Sequence, residues 1–362
     1  MKMSFSQAFK AAIVPEPKAQ NVISDRTLGP LNDDEIVIEI SATAVNPVDW
    51  KMRDYSAFIS EYPAILGSDA AGKVVAVGPA VSGFAIGDRV FFQGIIGTYD
   101  SSTFQQYCKM PASLVSKTPD NISDEQAAGV SLATVAAVTA FYDKEGYGLT
   151  PPWEKGGTEA GRGHAIVILG GASSVGQYAI QLARLSGFEK IITNASPANF
   201  DLLKKLGAHV VLDRHQSDAK AFAAAAQDTP LMFVFDAISV KATQMLGVQI
   251  LQATNTANSQ VVTVHTVHPE TTDQEAVALG QSQEPKVGVK QVLGVGSAPH
   301  LRYLSEPLAK HLGGADGYIA KGEFIPNRPR VVPGGLKAVE EALSLNKQGV
   351  SGEKVVFCPS SK

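Results

Sequence analysis

Ala165-Ile166-Val167-Ile168-Leu169-Gly170-Gly171-Ala172-Ser173-Ser174-Val175-Gly176, running on through Gln177 to Gly187, is the stretch from which the fold is read. Five apolar residues in a row, several β-branched and with no polar alternation, predict a strand buried on both faces, which two glycines end abruptly. Val175, Ala179, Leu182 and Ala183 then recur at helical spacing, with Ser173 or Ser174 as N-cap and Gly187 as the C-terminal stop. A strand, a glycine turn and a helix N-terminus together make an anion site. The first N–H groups of the helix point outward, its dipole adds partial positive charge, and glycine lets a pyrophosphate approach the main chain. Gly170, Gly171, Ser173, Ser174, Val175 and Gly176 are therefore the candidate dinucleotide contacts. A plain tight strand-to-helix connection is the competing reading of the same residues.

The following residues favour the dinucleotide. A strand (190–195), a short helix ending at Gly207, a strand (209–213), an alanine-rich helix near 217–227 and a strand (231–236) alternate, which predicts a parallel, doubly wound sheet. The ligand then lies at the carboxyl edge, outside Gly170, Ala195 and Asp236. An NAD site places an acid about 20 residues after the first glycine, on the ribose 2′-hydroxyl. Here that segment is Thr193-Asn194-Ala195-Ser196-Pro197-Ala198-Asn199, with no acid before Asp201. Ser196 and Asn199 can donate to a 2′-phosphate and Arg214 can supply charge, so NADPH is the expected cofactor. Alternatively, Ser196 and Asn199 only turn the chain and cap the next helix, and Arg214 is a solvated surface residue.

The 362 residues, 44% of them hydrophobic, are enough for two packed domains. A net charge of −4 and the lack of basic runs argue against nucleic acid or a membrane surface as partner. No apolar segment approaches the ~20 residues of a membrane span, and residues 1–20 lack a signal-peptide core. A cytosolic protein is expected. Cys108 and Cys358 form no CxxC pair and suit a reducing compartment. Short alternating runs at 35–40 and 72–78, separated by Gly, Pro, Asn and Asp, predict a barrel-like β domain at the amino end. The Gly/Pro-rich segment 144–163 reads as a surface excursion.

Asn46-Pro47-Val48-Asp49-Trp50-Lys51-Met52-Arg53, Leu66-Gly67-Ser68-Asp69-Ala70-Ala71-Gly72, Val77-Gly78 and Gly87-Asp88-Arg89-Val90 resemble the GroES-like domain of medium-chain dehydrogenases/reductases, in their zinc-free quinone- and enoyl-reductase branch. The glycine turn, Ser196 to Asn199, 330–335 and 350–354 fit the same group. Within it the chain is most similar to fungal trans-acting enoyl reductases of polyketide clusters, the lovastatin type. The resemblance implies a GroES-like catalytic domain over 1–128, a Rossmann domain over 129–292, and a segment 293–362 that returns to the catalytic domain. It places Val48, Asp49, Trp50 and Lys51, the strand end at Thr263 and Val264, and Gly352 and Glu353 at the cofactor. Zinc-dependent relatives carry a cysteine within the segment matching 46–49 and a histidine at the position of Ser68. Neither is present, and no four-cysteine lobe exists, so no zinc is expected. His265 and His268, three apart, read as a chance pair at a strand end.

Without a Lewis acid, reduction of a conjugated C=C bond is less demanding than that of a ketone, because the charge spreads into an enolate. The expected chemistry is hydride transfer from NADPH to an enone or enoyl thioester. Quinone reduction on the same scaffold is one alternative, and a non-catalytic NADPH-binding partner protein is another. Lys51 and Tyr55, in a loop after Asn46, are the candidate catalytic residues. Lys51 can instead bind ribose or phosphate, and Tyr55 is offset by about two positions from the tyrosine of mitochondrial-type relatives, with solvent as the alternative proton source. Trp50, Phe58, Phe91 and Phe92 are candidate pocket walls, against ordinary core packing for at least two of them. A threonine that relatives place on the nicotinamide amide is replaced by Ala136, with Thr139 one turn on, leaving Thr134, Ser131 or the main chain. The resemblance also suggests a carrier-tethered substrate, a polyketide synthase as partner, and a monomer or homodimer.

Overall fold

The computed structural model describes residues 7–264 and 272–361. In chain order, β1 (Phe9–Val14), β2 (Val22–Arg26) and β3 (Glu35–Ala44) lead into helix α1 (Pro47–Tyr55). There follow β4 (Ala64–Ile65), β5 (Asp69–Val77), β6 (Arg89–Gln93), β7 (Tyr107–Pro111), β8 (Val115–Lys117), and helices α2 (Asp124–Ala127) and α3 (Ser131–Tyr142). The alternating section comprises β9 (Ala165–Leu169), α4 (Ser174–Leu185), β10 (Lys190–Ala195), α5 (Phe200–Leu206), β11 (Val210–Asp213), α6 (Ala219–Ala226), β12 (Leu231–Asp236), α7 (Lys241–Ala253), β13 (Ser259–Val264), α8 (Gln274–Ser282) and β14 (Val287–Val292). The chain closes with α9 (Arg302–Leu312), β15 (Arg328–Val331), α10 (Val339–Gln348) and β16 (Glu353–Phe357).

Two compact units result, one from residues 1–132 and 295–362, the other from 133–294. In the second unit, six strands pair in the order β11-β10-β9-β12-β13-β14, all parallel. Every residue of β9 is buried, as a strand covered by helices on both faces must be. The strand order reverses between β9 and β12, so the carboxyl ends of these two strands open the crevice where a doubly wound sheet takes its ligand. From Ala133 onward, α3 is buried throughout, and apolar all round except for Thr134 and Thr139. Phe141 meets Phe233 and Phe235 edge-on, with ring centroids 5.4 Å apart in both pairs.

The segment 144–163 is more than a surface excursion. Tyr147 stacks on Phe233 at 4.2 Å, Trp153 meets Tyr142 at 5.6 Å, and Pro151, Pro152 and Gly157 are buried. Its prolines and glycines shape a packed turn, and its aromatic side chains supply the apolar area that holds it down.

The first unit is built mainly of β-strands. A seven-stranded sheet runs β15-β16-β3-β5-β6-β8, with β7 also on β3, beside a three-stranded sheet β2-β1-β4. The C-terminal segment completes it. Strand β16 pairs antiparallel with β3 through Val356–Ala44 and Phe357–Thr43, and the N–H of Val45 donates to the Val355 carbonyl at 2.9 Å. Phe357, Val355, Leu343 and Val339 share a core with Val45, Met52 and Leu66. Phe91 and Phe92 are 0% and 1% exposed, so they are core residues and not pocket walls.

Candidate active site

The glycine turn is built by sterics. Gly170 has φ +79°, and a Cβ there would overlap the Ile238 side chain. A Cβ on Gly171 would overlap the Thr193 hydroxyl, and one on Gly176 the Gly170 carbonyl. Only glycine lets β9, β10 and the start of α4 approach so closely. Asn194 locks the turn from β10, its side-chain oxygen accepting from Gly170 N–H at 2.9 Å and its carbonyl from Gly171 N–H at 3.1 Å. Ser173 is the N-cap, accepting from Gly176 N–H at 3.0 Å. Among the described residues no protein group accepts the N–H of Ser174 or Val175. Two free donors at the head of a twelve-residue helix, over a turn where no Cβ intrudes, fit a pyrophosphate.

Beyond β10, Ser196 opens a short 3-10 turn over Pro197–Asn199, and its hydroxyl makes no cap bond. Asn199 precedes α5 without a side-chain cap. Arg214 is exposed, its Nε 3.2 Å from the Nε2 of His215. The end of β10 carries no carboxylate, and Asp201 lies exposed in α5. At the neighbouring edge, buried Asp236 accepts from the N–H groups of Ile238 and Ser239, both at 3.0 Å, and from the Thr243 hydroxyl at 2.7 Å. Burial raises its pKa to about 6. The Thr263 hydroxyl donates to Ser239 at 2.6 Å, and Val264 N–H donates to the same oxygen at 2.9 Å. The side chain of Thr263 is thus turned inward. His265 and His268 lie outside the described residues.

In the first unit, the segment after Asn46 is a helix, not the expected loop. Pro47 sits at its first turn, where a missing N–H costs nothing, and Asp49 accepts from Asn46 N–H at 2.7 Å. Trp50 donates through Nε1 to Asn346 of α10 at 3.1 Å, and Asn346 donates to the Val45 carbonyl at 3.2 Å. The Lys51 ammonium lies 5.4 Å from the Trp50 ring centre, and that of Lys347 lies 5.3 Å from it. Burial holds the pKa of Lys51 below the ordinary lysine value. Tyr55 is 52% exposed and meets Trp50 edge-on at 6.3 Å, while Phe58 is 42% exposed. Val48 packs against the core of this unit. Ser131, Thr134 and Ala136 are buried, and the Thr139 hydroxyl is turned back onto the Val135 carbonyl at 2.8 Å.

Asp49 has a structural task that the sequence did not announce. It is 0% exposed, and besides Asn46 it accepts from the Ser68 hydroxyl at 2.9 Å. The Asn46 amide reaches Ser68 at 3.3 Å and Asp69 at 3.2 Å, and its carbonyl oxygen accepts from the ammonium of Lys354. Lys354 is 4% exposed and 3.8 Å from Asp69, which also accepts from Leu132 N–H at 2.9 Å. Burial raises Asp49 to about 7 and Asp69 to about 6, the Lys354 charge opposing both shifts, while burial lowers Lys354. Among the described residues no group of three or more His, Cys, Asp or Glu is disposed to bind a metal ion. Beside Lys354, Gly352 is buried with φ +75°, and Glu353 is paired with Arg328 at 2.6 Å. Lys354 was legible only as part of a matching C-terminal stretch.

Comparison with known proteins bears on the fold and the family. The alcohol dehydrogenase GroES-like domain model matches residues 32–120, and the zinc-binding dehydrogenase model matches 174–270. The trans-enoyl reductase himH of Aspergillus japonicus is 34% identical over 334 residues, 89% of each chain. The dehydrogenase azaJ of Aspergillus niger is 33% identical over 356 residues, 96% of this chain and 97% of that protein. Among solved structures, the quinone oxidoreductase from Coxiella burnetii superposes with a TM-score of 0.70 at 23% identity, covering 97% of this chain and 99% of that one. The CurK enoyl reductase gives 0.72 at 19% identity, covering 98% and 99%.

Proposed function

We propose, for a chain that belongs to the medium-chain dehydrogenase/reductase family, that it is an NADPH-dependent reductase of conjugated C=C bonds in enoyl thioesters or enones. The family and the Rossmann turn make it an oxidoreductase using a nicotinamide cofactor. One observation carries the finer reading. The head of α1 is filled by Asn46, Ser68, Asp49 and Asp69, and a buried ammonium already takes up the Asn46 and Asp69 oxygens that a dication would need. A reaction that needs no Lewis acid suits such a site. The dihydronicotinamide supplies the hydride, and the protein orients it and keeps water out.

Lys51 is the residue assigned to the reaction centre. Its ammonium, partly desolvated beside Trp50, can donate to an oxygen on which enolate charge develops. Tyr55 stands one turn on and is the proposed donor of the α-carbon proton, or passes one in from solvent. Ser196 and Asn199, with no acid at the end of β10, support NADPH over NADH. A trans-enoyl reductase among the relatives supports a substrate tethered to the carrier of a synthase.

The test is NADPH oxidation followed by absorbance with a crotonyl thioester, a 2-enal and a quinone. Turnover of the first two, falling at least about tenfold in Lys51→Ala, is expected; that loss corresponds to about 1.4 kcal/mol of transition-state stabilisation. Turnover of the quinone alone would make it a quinone reductase. Tight NADPH binding without any turnover would favour the non-catalytic reading.

A further inference from the structure

Lys354 is a buried cation in a unit whose stability does not call for one. Apolar side chains of similar volume fill such sites at no cost in stability, so a buried ion pair calls for a separate explanation. The surroundings are shaped to admit this one. A Cβ at Gly129 would stand 2.7 Å from Lys354 Cγ, so glycine there makes the passage for the lysine stem. At its end the ammonium meets two acceptors on different elements, Asn46 Oδ1 just ahead of α1 and Asp69 Oδ2 at the start of β5. Asn46 is the hinge between them. Its main-chain N–H donates to Asp49 and its amide to Ser68 and Asp69, so its orientation sets the start of α1. Trp50 and Lys51 follow within one turn.

We propose that Lys354 is a positioning residue: by holding Asn46 and Asp69 from inside the unit, it fixes the first turn of α1 and thereby the placement of Lys51. It is buried and acts through Asn46 and Asp69. The importance of Lys51 rests on the reductase reading above, whereas the hold on α1 does not.

The charged groups around Asp49 are Lys354 from β16 and Asp69 from β5, and its neutral partners are Asn46 and Ser68. Trp50, next to Asp49, reports on the same turn. The chain has two tryptophans, so Trp153→Phe leaves Trp50 as the sole emitter. In that background, with neither cofactor nor substrate, Trp50 emission is expected to titrate with Asp49, whose pKa is raised to about 7. Lys354→Met, which removes the cation, is expected to move the midpoint up by about one unit. Asp69→Asn, which removes a like charge, is expected to move it down. Gly129→Ala keeps the lysine but obstructs its stem, and should follow Lys354→Met. Opposite displacements in folded proteins are not produced by general loosening. Trp50 emission flat with pH in the parent, or the same midpoint in Asp69→Asn and Gly129→Ala as in the parent, overturns the proposal even if Lys354→Met fails to fold. A parent that shows these midpoints yet reduces none of the three substrates supports it, and counts only against the reductase reading.

Discussion

At the scale of single residues, the dinucleotide half depends on three glycines whose missing Cβ atoms are each accounted for. Gly176→Ala forces a methyl into the Gly170 carbonyl, a backbone atom that cannot swing aside. NADPH affinity measured by fluorescence titration is expected to fall at least about tenfold, or about 1.4 kcal/mol. Gly171→Ala meets the Thr193 hydroxyl instead, and its loss should be partly recovered in a Thr193→Ala background, which removes the obstructing oxygen. The proposed preference for NADPH is tested at Ser196. Ser196→Asp places a carboxylate at the end of β10, where it repels a 2′-phosphate and accepts from a 2′-hydroxyl. The ratio of kcat/KM for NADPH over NADH is expected to fall at least about tenfold; an unchanged ratio would remove Ser196 from the 2′ site.

At the scale of elements, the strand-turn-helix at 165–187 was legible because everything that makes it is local. A continuous apolar run, glycines and a serine cap all fall within the span of one supersecondary unit. Helix α1 was not. It has nine residues, four of them charged (Asp49, Lys51, Arg53 and Asp54), and begins at a proline, so little apolar periodicity reveals it. What makes it a helix comes from far along the chain: Asn346 binds Trp50, and Glu340 binds Arg53 at 2.5 Å. Asn346→Ala removes an acceptor from Trp50 and a donor from the Val45 carbonyl. The expected loss is about 1–2 kcal/mol in denaturant unfolding. The buried group around Lys354 was illegible for the same reason, since Asn46 and Lys354 are separated by 308 positions. Pattern reading registers a polar residue in a β run, not the partner that satisfies it.

At the scale of the whole molecule, three carboxylates among the described residues titrate above their usual range: Asp49 about 7, Asp69 about 6 and Asp236 about 6. Between about pH 4 and pH 7 the folded protein therefore binds more protons than the unfolded chain, and stability falls as pH rises through that window. Asp54 and Asp88, held below the usual range by basic neighbours, act in the opposite sense. Their contribution is lost only as pH falls below the ordinary carboxylate value. The melting temperature is expected to be highest near about pH 4 and to decline toward about pH 7. Asp236→Asn should flatten part of that decline, and a Tm that climbs steadily over the same range would contradict the assignment. Packing sets the other large stability term. Phe141, fully buried between Phe233 and Phe235, should cost about 3–5 kcal/mol as Phe141→Ala.

The first unit is assembled from both ends of the chain, and that has a consequence for the order of events on the ribosome. Residues 133–294 emerge as one uninterrupted stretch and can close their sheet while synthesis continues. Residues 1–132, already exposed to solvent, cannot finish. Asp49 and Asp69 have no cation to balance them until β16 arrives with Lys354, about seven-eighths of the way along the segment 295–362. The barrel therefore waits as an incomplete template, its charges kept hydrated, until the final strand closes it. Nascent chains arrested short of residue 354 should carry a folded dinucleotide half and a catalytic half that proteases still cut.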